Sequence, residues 1–292
     1  MIILFLTPVA VLYTVFFLYT GSQSFYVSLF DWSGFESSMT FVGLDNFREL
    51  LKDKKIWEVA FPNTLRIFLA GGLLVFGLSF LLSGILTTKI RGKKILRAIL
   101  FFPAVISPVA IAIMWGFIYE KRWGLLNVML DAVRLGALQQ TWNSPEILPW
   151  AILVAFVWME TGFYCVLLVA GLDRVPIHLL EAADIEGANE IQKFFKIKLP
   201  LIRDTLTTAL ILWGIGAVKE FALFFAWGGD VGVPIEGATN LAVRMYMTAF
   251  GKRITIFRMG YATTIGVLMF FLVGVIVFTI YMLNRKRDTI GY

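Results

Sequence analysis

The chain has 292 residues, of which 59% are hydrophobic and 16% are charged, with a formal net charge of +6. Its mean hydropathy is +0.79, whereas about a quarter of the residues in soluble domains are charged. This composition excludes an ordinary soluble domain and favours a membrane protein. A soluble protein with buried helices would show apolar runs of about 10–14 residues, which are shorter than the runs found here.

Six apolar stretches are long enough to cross a hydrocarbon core, which takes about 20 residues. We predict membrane spans near 2–20, 64–86, 99–118, 147–171, 205–227 and 261–283. The first stretch lacks the basic start of a signal peptide, because no Lys or Arg precedes Arg48. We therefore expect it to be retained as a span.

The segments between the spans differ in their density of basic residues. Segments 87–98, 171–204 and 284–292 hold 5, 5 and 3 Lys or Arg. The alternate segments hold 4, 3 and 4, although they are longer in total; they are 31–63, 119–146 and 228–260. The positive-inside bias places the denser set, and both termini, in the cytoplasm. Nucleic-acid binding is not favoured, since the basic residues flank spans rather than form one stripe.

The sequence offers no metal or nucleotide site. The only cysteine is Cys165, inside a predicted span, and a single histidine cannot complete a Cys/His cluster. A phosphate-binding loop needs a glycine five residues before its Gly-Lys-Ser/Thr. Gly251 fails this pattern, because Tyr246 stands at that position and Arg253 replaces the hydroxyl residue. Gly92 fails it too, so we predict no bound cofactor and no catalytic residue.

The most polar passage lies between the fourth and fifth predicted spans. After Pro176 the residues from 177 to 186 suit a short helix, which Gly187 ends or bends. Asn189 and Gln192 stand at capping-box spacing and predict a second helix, which Pro200 ends. A helix pair with small residues among its acids leaves its backbone open to a partner.

This passage resembles the EAA loop of binding-protein-dependent ABC importers, whose permeases carry E-A-A, three residues, G, nine residues and I-x-L-P. The pattern is filled by Glu181, Ala182, Ala183, Gly187, Ile197, Leu199 and Pro200. In that family the loop forms a coupling helix that docks on a separate ATPase. The resemblance therefore implies an ATPase-coupling role for these residues and for Asp184.

Further segments resemble carbohydrate permeases of the maltose-transport kind. They are 41–68, 101–119, 214–230 and 258–270, and the chain resembles the first of two paired permeases. The implied fold is all-α: six transmembrane helices in a type I ABC importer permease fold with a cytoplasmic coupling helix. The departures are Ala222, where an aspartate is common, and 228–234, where the family often has Gly-Gly-Pro.

The resemblance also implies a division of the chain and a set of partners. Residues 1–58 form the first helix and an external segment, 59–285 the permease domain, 177–200 the coupling loop and 286–292 a cytoplasmic tail. The partners are a second permease in a heterodimer, two cytoplasmic ATPase subunits that bind ATP and magnesium, an external solute-binding protein, a sugar-like substrate and membrane lipid. The location is the cytoplasmic membrane of a bacterium or archaeon.

A substrate path is predicted from ionisable and aromatic residues within spans. Its members are Trp158, Glu160, Tyr164, Lys219, Glu220 and Phe221. An internal ion pair, or snorkelling toward the outer surface, explains the charged members equally well. Interfacial enrichment explains aromatic residues such as Trp115. Small or polar residues predict close helix crossings, namely Asn63, Gly162, Gly214 and Gly216.

An alternative function is an ion-gradient-driven secondary transporter or a channel. That class would need several acids or a histidine relay within spans, or discontinuous helices in matching halves. Only Glu160 and Glu220 qualify as intramembrane acids. A membrane enzyme is a more distant possibility, because no nucleophile or metal ligands cluster.

Overall fold

The computed structural model describes residues 2–88, 91–227, 236–251 and 257–285, which are mostly helical. The α-helices are α1 (Ile2–Tyr13), α2 (Thr20–Val27), α3 (Asp45–Lys52), α4 (Phe61–Arg66), α5 (Gly72–Leu86), α6 (Lys93–Val105), α7 (Pro108–Ile118), α8 (Leu125–Ala132), α9 (Leu148–Leu172), α10 (Ile177–Ile185), α11 (Glu190–Lys193), α12 (Leu199–Leu201), α13 (Arg203–Lys219), α14 (Ala222–Trp227), α15 (Leu241–Phe250) and α16 (Met259–Arg285).

Several helices continue through short π-helical segments, at Thr14–Tyr19, Lys55–Ala60, Ile67–Gly71 and Phe194–Lys198. Single 3-10 turns lie at Gly136–Leu138 and Glu236–Ala238. Two short antiparallel strands, β1 (Phe30–Asp31) and β2 (Thr40–Phe41), pair with Phe30 opposite Phe41 and Asp31 opposite Thr40. The predicted tail at 286–292 and the loop at 228–234 lie outside the described residues.

Within the described part of the chain, four helical runs are long and apolar enough to cross a membrane: Lys55–Leu86, Leu148–Leu172, Arg203–Trp227 and Met259–Asn284. A fifth is added if the bent pair α6 and α7 forms one span. The all-α membrane class is thus confirmed. The predicted first span lies in the run from α1 to α2, which is not among these, so six spans stay a prediction.

The predicted span at 99–118 is not one straight helix. Helices α6 and α7 meet at a 97° bend. Ile106 and Ser107 are extended there, with ψ of 141° and 131°, and Pro108 is the first residue of α7. A proline disfavours helical backbone in the residue before it, which explains the break.

The predicted span at 205–227 is also interrupted. Helix α13 ends at Lys219, and Glu220 is non-helical with φ −58° and ψ 118°. The Glu220 carboxylate accepts a hydrogen bond of 2.9 Å from the Leu223 N–H at the start of α14. Its backbone carbonyl accepts one from the Asn240 side chain. These bonds satisfy backbone groups that a helix break would otherwise leave unpaired in lipid.

Helix α9 forms the centre of the bundle and packs against α5, α6 and α13. The closest crossing is at Gly162, where an added Cβ would lie 1.7 Å from the backbone oxygen of Leu100. A Cβ on Gly214 would meet the side chain of Ile276 at 2.6 Å. The predicted close crossings at these two glycines are confirmed, whereas Gly216 meets no neighbouring helix within the described part of the chain.

Asn63 does not serve as a small residue at a crossing. Its buried side-chain amide donates hydrogen bonds of 3.1 Å to the Glu236 carbonyl and 2.8 Å to the Thr239 carbonyl. Next to it, the Thr64 hydroxyl accepts a bond of 3.0 Å from the Leu241 N–H. Asn63 and Thr64 therefore fasten the segment before α15 to the helix that contains α4.

Candidate functional site

The first half of the predicted coupling loop is helix α10, which begins directly after Pro176 and ends at Ile185. Gly187 follows with φ +78°. The Gly187 N–H donates to the Asp184 carbonyl at 3.0 Å, and the Ala188 N–H donates to the Ala183 carbonyl at 2.9 Å. This bond pair is a Schellman C-cap, which requires the left-handed conformation that glycine adopts at no steric cost. The predicted helix end at Gly187 is confirmed.

The second half begins at the predicted capping box. The Gln192 N–H donates to the Asn189 side chain at 2.8 Å, and the Asn189 N–H donates to the Gln192 side chain at 2.9 Å. Phe194 then packs edge-on against Phe80 of α5, with ring centroids 6.0 Å apart. Ile202, two residues after the loop, is buried in an apolar cluster with Leu168 and Leu172 of α9. The bundle thus holds the loop at its C-terminal end.

A buried lysine joins the two halves of the loop. The Lys193 side chain is 8% exposed, and its ammonium lies 2.6 Å from the Asp184 carboxylate and also contacts Glu190. Lys198 lies 3.8 Å from Glu190 and extends the network. Hydrogen bonds to Asp184 and Glu190 raise the pKa of Lys193, so the charged form is favoured. The sequence does not predict this role of Lys193, because its contact with Asp184 depends on the geometry of the turn between the two helices.

The predicted coupling residues differ in exposure. Glu181, Asp184 and Gly187 are exposed, and the Asp184 carboxylate is paired with Lys193. Ala182 and Pro200 are exposed as well, and Ala183, Ile197 and Leu199 are half-buried. Two apolar side chains that the prediction omitted are among the most exposed of the loop: Ile185 at 89% and Ile191 at 70%.

The predicted substrate-path residues come from α9 and from the break between α13 and α14. Glu160 lies on α9 and Glu220 at the break, and both are half-buried. Lys219 is exposed, and among the ion pairs of the described residues none joins it to either glutamate. Trp158 is 38% exposed and lies beside Trp115, with ring centroids 5.9 Å apart.

The other two aromatic residues of the predicted path are packed into aromatic clusters. Tyr164 is 4% exposed and packs between Phe76 and Trp213, with centroid distances of 5.2 and 5.7 Å. Phe221 stacks on Phe225 at 4.8 Å and contacts Tyr246. Tyr164 therefore has no exposed surface on which a solute could lie.

A separate depression of about 260 Å³ lies between α7 and α14. It is lined by Ala112, Ile113, Gly116, Asn143, Ala226 and Trp227. The Trp227 indole N–H donates to the Asn143 side chain at 3.3 Å. No predicted path residue lines this depression, whose wall is mainly apolar.

The apolar helical runs around α9, with a capped polar helix pair between α9 and α13, define a polytopic membrane protein. Residues 81–287 match the family described as the binding-protein-dependent transport system inner membrane component. The chain belongs to this family and is a permease of a binding-protein-dependent ABC importer. The resemblance noted in the sequence is confirmed, and the gradient-driven alternative is not favoured.

Curated relatives cover most of the chain. It is 33% identical over 246 residues to the trehalose/maltose transport system permease of Thermococcus litoralis, covering 83% of this chain and 82% of the relative. It is 32% identical over 294 residues to the diacetylchitobiose uptake permease of Streptomyces coelicolor, covering 95% and 80%. A probable ABC transporter permease of Pyrococcus horikoshii is 32% identical over 254 residues, covering 86% and 85%.

A solved structure has the same fold. A chain of a bacterial alginate ABC transporter, crystallised with an alginate-bound periplasmic protein, aligns with a TM-score of 0.79 at 22% identity. The alignment covers 99% of this chain and 95% of that chain. The predicted permease fold is thereby confirmed.

Proposed function

We propose that this permease imports a sugar or sugar-like solute, driven by ATP that separate subunits hydrolyse. The main support for this proposal is sequence similarity, over most of the chain, to permeases named for diacetylchitobiose and for trehalose and maltose. The chain itself contributes no catalytic residue. It pairs with a second permease, two ATPase subunits and an external binding protein, in a membrane with both termini in the cytoplasm.

The loop at 177–200 is the surface that receives the ATPase. The Schellman cap and the capping box fix the ends of the two short helices, and the buried Lys193 of the second helix binds Asp184 of the first. This rigidity presents Glu181, Ile185 and Ile191 outward. A rigid loop of this kind transmits a movement of the partner to α9 and α13, at whose ends it begins and finishes.

The solute passes along the side of α9 and the break at Glu220. Carboxylates there accept hydrogen bonds from hydroxyl groups, and the Trp158 ring offers an apolar face to a sugar. Tyr164 supports this path by packing in the core rather than by contact with the solute.

The coupling role is tested with two substitutions in the assembled transporter. Glu181→Lys reverses a charge at the ATPase contact, and loss of a buried interface pair costs about 2–5 kcal/mol. Gly187→Leu forces a side chain into positive φ, whereas Gly187→Asn keeps that conformation accessible and is the matched control. We expect both test variants to lose solute uptake at normal membrane abundance, and the control to retain it. Normal uptake and normal ATPase co-purification in both would refute the coupling role.

The energy source and substrate class are tested in proteoliposomes that hold the four-subunit complex and its binding protein. With ATP inside and no ion gradient, we expect uptake of an oligosaccharide that the binding protein retains. Uptake that needs an ion gradient and ignores ATP would favour a secondary transporter instead. ATP-driven uptake restricted to non-carbohydrate solutes would refute the sugar assignment alone.

A further inference from the structure

Helix α8 has the reverse of the usual arrangement of polar and apolar residues. Leu125, Val128 and Met129, at i, i+3 and i+4 spacing on one face, are 55%, 51% and 57% exposed. On the opposite face the polar Asn127 is only 4% exposed. A soluble surface helix places its apolar stripe against the core, so the outward stripe of α8 needs another apolar environment.

The orientation of α8 is fixed by hydrogen bonds to Asn127. Its side-chain amide donates to the Lys121 carbonyl at 3.1 Å and to the Gln140 carbonyl at 3.0 Å. Its side-chain oxygen accepts from the Trp142 indole at 2.8 Å. Turning the apolar stripe inward would break all three bonds and leave buried polar groups unpaired, which costs about 1–3 kcal/mol per group.

The stripe continues the apolar surface of helix α7. Only residues 119–124 separate the two helices. Phe117 of α7 and Trp123 before α8 are each 58% exposed, and their ring centroids lie 5.7 Å apart. Exposed Lys121 and Arg122 precede this tryptophan. A tryptophan beside basic residues at the end of a span is typical of the membrane–water interface.

We propose that α8 lies in the headgroup region of the outer leaflet, with Leu125, Val128 and Met129 among the upper acyl chains. Interfacial helices bind lipid through such an apolar face and through basic residues near anionic headgroups. Contact with lipid follows from the continuity between this face and the exposed apolar surface of α7, which a docked soluble protein does not require. The helix then anchors the outer end of α7, one wall of the depression at Trp227.

The proposal is tested by single cysteines in a Cys165→Ala background of the assembled transporter in nanodiscs. A bimane probe is placed at Val128→Cys, with Met129→Cys as a second position. Asp131→Cys, exposed on the flank of the same helix, is the matched control. We expect lipid brominated near the top of the acyl chain to quench the probe at both apolar positions and to quench the control much less.

Two results would overturn this assignment. Quenching of the apolar positions by aqueous iodide, and not by brominated lipid, would mean that the stripe faces water. Protection from both quenchers would mean that another protein subunit covers it. Neither result depends on which solute is imported, so this test and that of the proposed function fail independently.

Discussion

Gly162→Ala should destabilise the bundle strongly, although it adds only one methyl group. The new Cβ would lie 1.7 Å from the Leu100 carbonyl oxygen, whereas real Cβ contacts essentially never fall below 3.0 Å. The obstructing group is the backbone carbonyl of Leu100, which cannot rotate away as a side chain could. Helices α6 and α9 must therefore separate to make room for the methyl group. Overpacking of a core typically costs about 1–3 kcal/mol, and we expect the upper end of that range.

Gly216→Ala is the matched control, because its new Cβ would meet nothing within 4 Å. Alanine exceeds glycine in helix propensity by up to about 1 kcal/mol, so the control should be neutral or stabilising. The assay is the thermal midpoint of the detergent-solubilised transporter, followed by size-exclusion chromatography of a fluorescent fusion. We expect a clear drop for Gly162→Ala and none for the control. Equal midpoints for the two variants would refute the close crossing of α6 and α9.

One further prediction concerns the proposed coupling loop, and another concerns the membrane topology. Lys193→Met removes the buried ammonium that joins the two loop helices, so we expect less solute transported per ATP hydrolysed. The control Lys196→Met, at an exposed position, should leave that ratio unchanged. Equal ratios for the two variants would contradict the joining role of Lys193. For the topology, cysteines at Ser38 and Asn189 in a Cys165→Ala background should react with an impermeant maleimide from opposite sides of the membrane. Labelling of both from the same side would contradict the six-span arrangement.

Local features of the chain were predictable because their causes lie within a few residues. The Asn189–Gln192 capping box and the helix end at Gly187 depend on side chains and backbone within one turn. The long spans followed from runs of apolar residues, since lipid penalises polar groups along their whole length. The extended match around Glu181 likewise needed only spacing along the sequence.

The break near Ser107 could not be predicted from local sequence. The proline after it was visible, but some spans tolerate proline with only a kink. Whether the backbone bends by 97° depends on packing of the two halves against different neighbours, α6 against α9 and α7 against α14. The break at Glu220 has no proline, and its unpaired carbonyl is satisfied by Asn240, twenty residues away.

By itself, the sequence determined the membrane class, most of the spans, the capped helix pair at 177–200 and the family, since each depends on local composition or on spacing. Only the tertiary structure decided which small residues lie at close helix crossings and which polar residues form hydrogen bonds between distant segments. Gly162 and Gly216 look alike in sequence, yet one touches a neighbouring backbone and the other faces open space. Asn63 holds a segment that lies 173 to 176 residues further along the chain, because hydrogen bonds and close packing are set by distances in space, which periodicity along the chain does not encode.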